Sequence, residues 1–320
     1  MDEKEIGRLK TRDTVNRCRN LLIHGATKEQ TMMGMFIYGM VNSCMLVLMA
    51  LGFSLTFGIS GIANFAYGAI YVTGAYLCWH FVNSFGLWYP LSIVMSVLIT
   101  GIVGVCVYRF VLYRVRGIPL SEIVVTFGLG TGLLELYRSL GLSGHSYKLP
   151  VFVDGSVEIF EVYIDFQRLI ILCLGIILLL LLWIFTHHTK LGLAFRGIAQ
   201  DEETALAFGI EPERTAMASF YIGSSLAALA AIAIVPLSLL SVEDGSNVLI
   251  LVLAVGIVGG LESTLGIIVA SLIFGFLQMI FSTYFSPLYS LVVTLVSIVL
   301  ILAVKPSGLF GSSKELEERV

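Results

Sequence analysis

Two polar side chains stand where a solute crossing apolar surroundings could meet them. Asn64 lies in Phe57-Gly58-Ile59-Ser60-Gly61-Ile62-Ala63-Asn64-Phe65-Ala66-Tyr67-Gly68, inside a stretch (residues 30–108) without a single Lys, Arg, Asp or Glu. An amide surrounded by hydrocarbon must find a partner. A helix interrupted by glycine frees backbone groups that tolerate burial only beside protein or a water-filled path. The pattern returns 198 residues later as Val255-Gly256-Ile257-Val258-Gly259-Gly260-Leu261-Glu262-Ser263-Thr264-Leu265-Gly266. Gly58, Gly61 and Gly68 fall on Gly256, Gly259 and Gly266, and Asn64 falls on Glu262. Broken segments in corresponding places of two halves are a property of membrane folds built from repeats, with the path near the repeat interface. Chance alignment in a chain with 32 glycines is the competing explanation.

A different chemistry is offered by residues 187–214, a long polar stretch between apolar runs. Gln200-Asp201-Glu202-Glu203 is expected to open a short amphipathic helix, with acids in the first turn where the helix dipole favours them. Ala199, Leu206 and Phe208 would form its apolar surface, and Gly209 suits a C-cap. Helices that lie on lipid carry more Lys and Arg on the polar face. This one is therefore expected to dock on a protein.

Other reactive groups read as structural. Glu135 and Arg138, one turn apart, are expected to pair at a helix end, and Glu122 to reach a nearby arginine turn. His187 and His188 have no second ligand cluster for a metal. Cys18, Cys44, Cys78, Cys106 and Cys173 show no CxxC spacing and read as small buried apolar residues. Trp88 and Tyr89 look like an interface anchor. No Ser/His/Asp or Cys/His arrangement at an aqueous site is present, and no G-x-x-x-x-G-K-[ST] phosphate loop. No catalysis, cofactor or metal is expected of this chain.

The elements that position these groups follow from composition. Of 320 residues, 57% are hydrophobic and only 13% charged, against roughly 25% charged in soluble domains. That excludes a soluble enzyme, and a net charge of −3 without a basic face excludes a nucleic-acid binder. A spanning helix needs about 20 apolar residues. The expected helices are 33–57, 61–81, 90–109, 117–140, 168–186, 214–238, 248–261, 264–285 and 288–305, the seventh too short to cross alone. The fold class is thus an all-α integral membrane protein of eight to nine transmembrane helices. Barrel strands are a poor alternative, because these runs are apolar on every face.

Basic residues favour the cytoplasm. Arg109, Arg114 and Arg116, and later Lys190, Arg196 and Arg214, mark inner loops; the acidic stretch 141–165 and the turn at Glu243 and Asp244 mark outer ones. The polar residues 1–31 carry seven Lys/Arg, which favours the inside, whereas three crossings before Arg109 would put them outside. Parity stays open at this point.

Three stretches give the chain a family likeness: residues 55–76 around Gly61–Gly68; residues 192–223 around Arg196-Gly197-Ile198-Ala199-Gln200 and Ala207-Phe208-Gly209-Ile210; and residues 256–266 with the ending Lys305-Pro306-Ser307-Gly308-Leu309-Phe310-Gly311. In order and spacing they resemble the permease subunits of branched-chain amino acid ABC importers, of the LivH kind, over residues 32–311. The resemblance implies a permease domain over 32–311, flanked by tails 1–31 and 312–320. It implies a substrate path at Gly61, Asn64, Tyr67, Gly68, Gly259, Gly260 and Glu262. A cytoplasmic coupling loop, 187–213, would meet the motor through Arg196, Ala199, Gln200, Asp201, Glu202, Ala207, Gly209 and Ile210. The implied partners are a second permease (LivM-like, or an identical copy), two cytoplasmic ABC ATPase subunits, an extracytoplasmic substrate-binding protein and the lipid bilayer. The family pattern has His at Tyr67 and Gly at Glu262, and it extends to urea and short-amide permeases, so substrate choice is where this chain could differ. The rival expectation is a self-contained carrier or channel for a small neutral solute.

Overall fold

A computed structural model describes residues 28–142, 147–153, 155–159, 162–261, 263–285, 289–305 and 308–310. Helix α1 (Lys28–Ser60) is followed by α2 (Tyr67–Asn83), α3 (Tyr89–Cys106) and α4 (Pro119–Tyr137). α3 continues through a π turn to Val115 and α4 through another to Leu142. A hairpin of β1 (Ser156–Ile159) and β2 (Val162–Asp165) leads into α5 (Phe166–His188). Then come α6 (Lys190–Gln200), α7 (Glu202–Ala207), α8 (Pro212–Ile234), α9 (Glu243–Gly259), α10 (Thr264–Tyr284) and α11 (Tyr289–Val304). Among the described residues, six helices are long and apolar enough to cross a membrane: α1, α3, α4, α5, α8 and α10. α2 and α9, at 17 residues each, reach only about 25 Å of the ~30 Å hydrocarbon core. Both lie next to a glycine-broken turn.

Four helices form the centre. α1 packs on α8, α8 on α2, α2 on α9, and α9 on α1, closing a square. α1 and α8 are the most buried spans, 72% each, because their contacts run through small residues. Gly52 of α1 faces Gly223 of α8 so closely that a Cβ on either would sit 2.4–2.6 Å from the other's carbonyl oxygen. Ala227, Ala228, Ala230, Ala231 and Ala233 of α8 are wholly buried. Apolar side chains gain little from leaving lipid, so close backbone approach supplies the attraction. Gly223→Ala is therefore expected to destabilise the chain by about 1–3 kcal/mol, checked by a lowered thermal midpoint in detergent.

The outer helices line the edges of the square. α5 lies along α1 and α8, α3 along α8 and α2, α4 beside α2, and α10 beside α1 and α9. α5 is the most apolar of the six spans and α4 the least. The exposed side chains Ile176, Ile177, Leu180, Leu181 and Ile184 give α5 a lipid-facing surface. α4, on the α2 side of the square, exposes Gly128, Thr131, Gly132 and Glu135 among the apolar side chains of Ile123, Val124 and Phe127.

Contacts also fix the direction of α1. Tyr38, near its start, donates a hydrogen bond to the carbonyl of Tyr163 in the hairpin (2.7 Å), and Arg168 stacks on the Tyr38 ring. Ile59, at its end, packs on Phe195, Ile198 and Ala205 of α6 and α7. α1 thus enters from the acidic, hairpin face and runs to the basic face, the direction that three crossings before Arg109 require. Residues 1–27 lie outside the described residues.

Several local expectations are corrected. The break delays α2 to Tyr67, where a helix from Gly61 is expected, because the turn's own hydrogen bonds occupy residues 61–66. The acidic stretch contains a two-stranded hairpin. Of the cysteines, Cys78 is buried and Cys44 half-buried, but Cys106 and Cys173 face outward from α3 and α5 as ordinary lipid-side apolar groups; Cys18 lies outside the described residues. Glu122 reaches the backbone N–H of Gly117 (2.8 Å), capping the entry to α4, and among the described residues it pairs with no arginine.

Candidate functional site

The first break is held by its own polar groups. The Asn64 carboxamide oxygen accepts from the N–H of Ala66 (3.0 Å), the Ser60 hydroxyl from that of Ile62 (3.2 Å), and Thr126 of α4 from that of Phe65 (3.2 Å). Gly61 turns the chain with φ +66°. The N–H groups of Gly61, Ile62, Phe65, Ala66 and Tyr67 thus find acceptors within the protein, as burial in a membrane requires. Asn64 is 1% exposed, so its amide faces the turn rather than open space. Tyr67 is equally buried; its hydroxyl donates to the Met49 carbonyl (2.8 Å) and its ring meets Phe53 edge-on. Gly68 packs on the backbone of Gly245 in α9, where a Cβ would overlap the carbonyl oxygen.

The second break is stitched by different means. Gly260 takes φ +97°, and Ser263 caps α10 by accepting from the N–H of Gly266 (3.1 Å). Leu309 and Phe310 donate to the carbonyls of Val258 and Gly259 at 2.7 and 3.3 Å, so the chain's last described residues satisfy the end of α9. Ser54, near the end of α1, donates to the Leu261 carbonyl (3.0 Å), which ties the second break to the helix that leads into the first. Gly259 and Gly260 are buried, Gly61 is exposed, and Glu262 lies outside the described residues.

Open space lies beside the first break. α2, α4 and α9 leave a narrow crevice lined by Phe65, Gly68, Gly130, Thr131, Gly245 and Ser246, among others. Of the residues expected on a path, Gly68 borders it. Thr131 and Ser246 do so too, and sequence reasoning missed them. The available signal was Gly128-x-x-x-Gly132 with a threonine inside an otherwise apolar helix, a small-residue stripe that permits close approach.

On the basic face the expected single helix is two. α6 ends at Gln200 and α7 begins at Glu202, because Asp201 leaves the helical conformation and caps α7, accepting from the N–H of Thr204 (3.1 Å). Ala199 and Gln200 thus close α6 rather than belonging to the acidic helix. α7 ends in a left-handed Gly209, φ +82°, and the N–H of Ile210 donates back to the Ala205 carbonyl (3.1 Å), the Schellman arrangement. Glu202 is gripped by Arg116 at 2.7 Å through both oxygens, and Arg109 pairs with Glu213. The two basic loops are thereby clamped together. Ala205 is buried against α1, while Ala207 and Ile210 finish the turn. What this frame presents outward is apolar: Phe208 is 83% exposed and Leu206 59%. Arg196, on α6, points instead to a groove along α1 and α5.

At the opposite face Arg138 bridges Glu135 (3.3 Å) and Glu243 (3.2 Å), joining α4 to α9. His187 and His188 pack on Trp183, and among the described residues no group of three metal-ligating side chains converges.

The family model described as "Branched-chain amino acid transport system / permease component" matches residues 35–302. The high-affinity branched-chain amino acid transport system permease protein LivH of Escherichia coli is 27% identical over 278 residues, covering 82% of this chain and 90% of that protein. Its counterpart in Salmonella typhimurium matches equally. A probable LivH of Methanocaldococcus jannaschii is 25% identical over 307 residues, covering 91% and 95%. Among solved structures, PsaBC from Streptococcus pneumoniae in complex with Fab aligns over 88% of this chain and 94% of that one, with a TM-score of 0.48 and 14% identity.

Proposed function

This chain belongs to the family of permease components of branched-chain amino acid transport systems, and from that premise we propose that it is one half of the membrane gate of an ATP-driven importer. The substrate is a branched-chain or related small neutral amino acid. A second permease, or an identical copy, completes the path; two ABC ATPase subunits sit beneath, and a binding protein delivers substrate from outside. The chain is a multi-pass membrane protein and its relatives are permeases, not enzymes.

The observation that carries the reading is the exposed pair Leu206 and Phe208 on a helix capped at both ends and ion-paired to the neighbouring loop. A large aromatic exposed on a rigid frame in water is a docking anchor. A carrier working alone has no use for one. Motion of the seat beneath α7 reaches α8 through the short 208–211 turn and α5 through α6. The gate's own wall is the α4 face with the crevice behind it, and the turns at 61–66 and at Gly260 act as the frame holding α2 and α9 in place. Asn64 and Tyr67 support this wall from behind.

Gly128 and Gly132 have nothing within 4 Å of where a Cβ would stand. Leucine at either position is therefore expected to leave the folded chain as stable as before and to lower uptake about tenfold, by blocking the pairing or the path. Unchanged uptake in the Gly132→Leu variant would move the wall elsewhere. The reading as a whole is tested by reconstituting the chain with its permease, ATPase and binding-protein partners. Uptake of labelled leucine, isoleucine or valine is expected only with ATP, and uptake by this chain alone without ATP would favour a self-contained carrier.

A further inference from the structure

We propose that the groove between α1, α5 and α10 at the basic face is a binding site for an anionic phospholipid. One acyl chain lies against the helices and the phosphate is held by Arg196. The groove has a volume of about 530 Å³, within the ~300–1,000 Å³ usual for ligand sites. Its walls are Leu51 and Leu55 of α1, Leu179 and Trp183 of α5, and Leu265 and Ile268 of α10. Its mouth carries Arg196 and His187, and among the described residues no Asp or Glu lines it. An apolar slot ending in a cation fits an amphiphile with a negative head.

Two further observations select a lipid as the occupant. The groove opens on the α5 side, where Ile176, Ile177, Leu180, Leu181, Trp183 and Ile184 are exposed in an apolar band that ends at His187 in its mouth. It also lies at the level of the basic loops, where the headgroups of the inner leaflet are. Arg196 is available for the role. Arg109, Arg116, Arg138, Arg168 and Arg214 are each ion-paired within the protein, whereas Arg196 is exposed and makes no ion pair among the described residues. The neighbouring Lys190 is exposed as well. A lipid seated here splints α6 against α1 and α5, the helices on which the inner loop rests. The inference depends on the membrane setting, not on the docking role of Phe208, so the two stand or fall separately.

The test is lipid binding to the purified chain, without partners, by native mass spectrometry and by thermal stabilisation. Dioleoyl phosphatidylglycerol is compared with dioleoyl phosphatidylcholine. The expected result is about fivefold preference for the anionic lipid, abolished in Arg196→Gln, largely kept in Arg196→Lys, and unaffected in Arg114→Gln. Dihexanoyl phosphatidylglycerol, with the same head and short chains, is expected to bind several-fold more weakly. Equal binding of the two long-chain lipids would overturn the proposal, as would an Arg196→Gln variant that keeps the preference. So would a short-chain lipid that binds as well as the long one, since the apolar wall would then contribute nothing.

Discussion

Aspartate in place of Phe208 is expected to leave the chain folded and in the membrane at wild-type level while lowering ATP-dependent uptake at least tenfold. The side chain is 83% exposed and only its backbone N–H is engaged in the α7 cap, so the fold loses almost nothing. Anchors of this kind cost about 2–4 kcal/mol at an interface when removed. Introducing a charge where an apolar pocket is expected adds desolvation to that loss. Leu206→Asp is expected to act the same way, more weakly. Charge reversal at Glu202 works through another route. It replaces the bidentate grip of Arg116 with repulsion, loosens α7 from the 116–119 turn, and is expected to uncouple ATP hydrolysis from uptake. The measurement is uptake and ATPase rate on the same preparation. Normal uptake in the Phe208 variant would show that the loop touches nothing essential.

Valine at Gly68 is expected to prevent accumulation of folded chain altogether. Gly68 and Gly245 bring α2 and α9 into backbone contact, and a Cβ at Gly68 would overlap the carbonyl oxygen of Gly245. The obstacle is backbone on a central helix, so neither partner can yield by changing rotamer. Overpacking of this kind costs about 1–3 kcal/mol even where side chains can shift, and here two of the four central helices would have to part. The same substitution at Gly132, with open space around it, is the internal control. Membrane level and fluorescence-detected size-exclusion profiles check both. A Gly68→Val chain that is monodisperse and as stable as wild type would mean that the α2–α9 approach is not what holds the centre together.

The helices were largely legible because lipid permits so little else: uncharged runs and basic turns mark spans and loops directly. The breaks were legible too, since glycines beside an amide have no place in an uninterrupted span. What Asn64 does there was not. An amide in hydrocarbon demands a partner, and sequence cannot say whether that partner is a solute or the N–H of Ala66 two residues away. The direction of α1 was hidden because the basic tail and the helix count argued oppositely. The contact between Tyr38 and Tyr163, 125 residues apart, is what decides it. In the inner loop the acids, the apolar surface and the Gly209 cap were readable. The split at Asp201 was not, because aspartate serves as well in a first turn as at an N-cap. Thr131 and Ser246 escaped because each is a single hydroxyl on an apolar helix, and only the meeting of α2, α4 and α9 sets them on a common crevice.

The claim beneath all of this is that a separate motor pushes on α7. A photo-crosslinking amino acid at position 208, in the complete complex within native membranes, reads that contact directly. The expected result is a crosslink to an ATPase subunit, with a yield that changes between nucleotide-free and ATP-bound states and is lost when Arg116 and Glu202 are both replaced by alanine. Crosslinks confined to lipid, or to this chain itself in every nucleotide state, would contradict it.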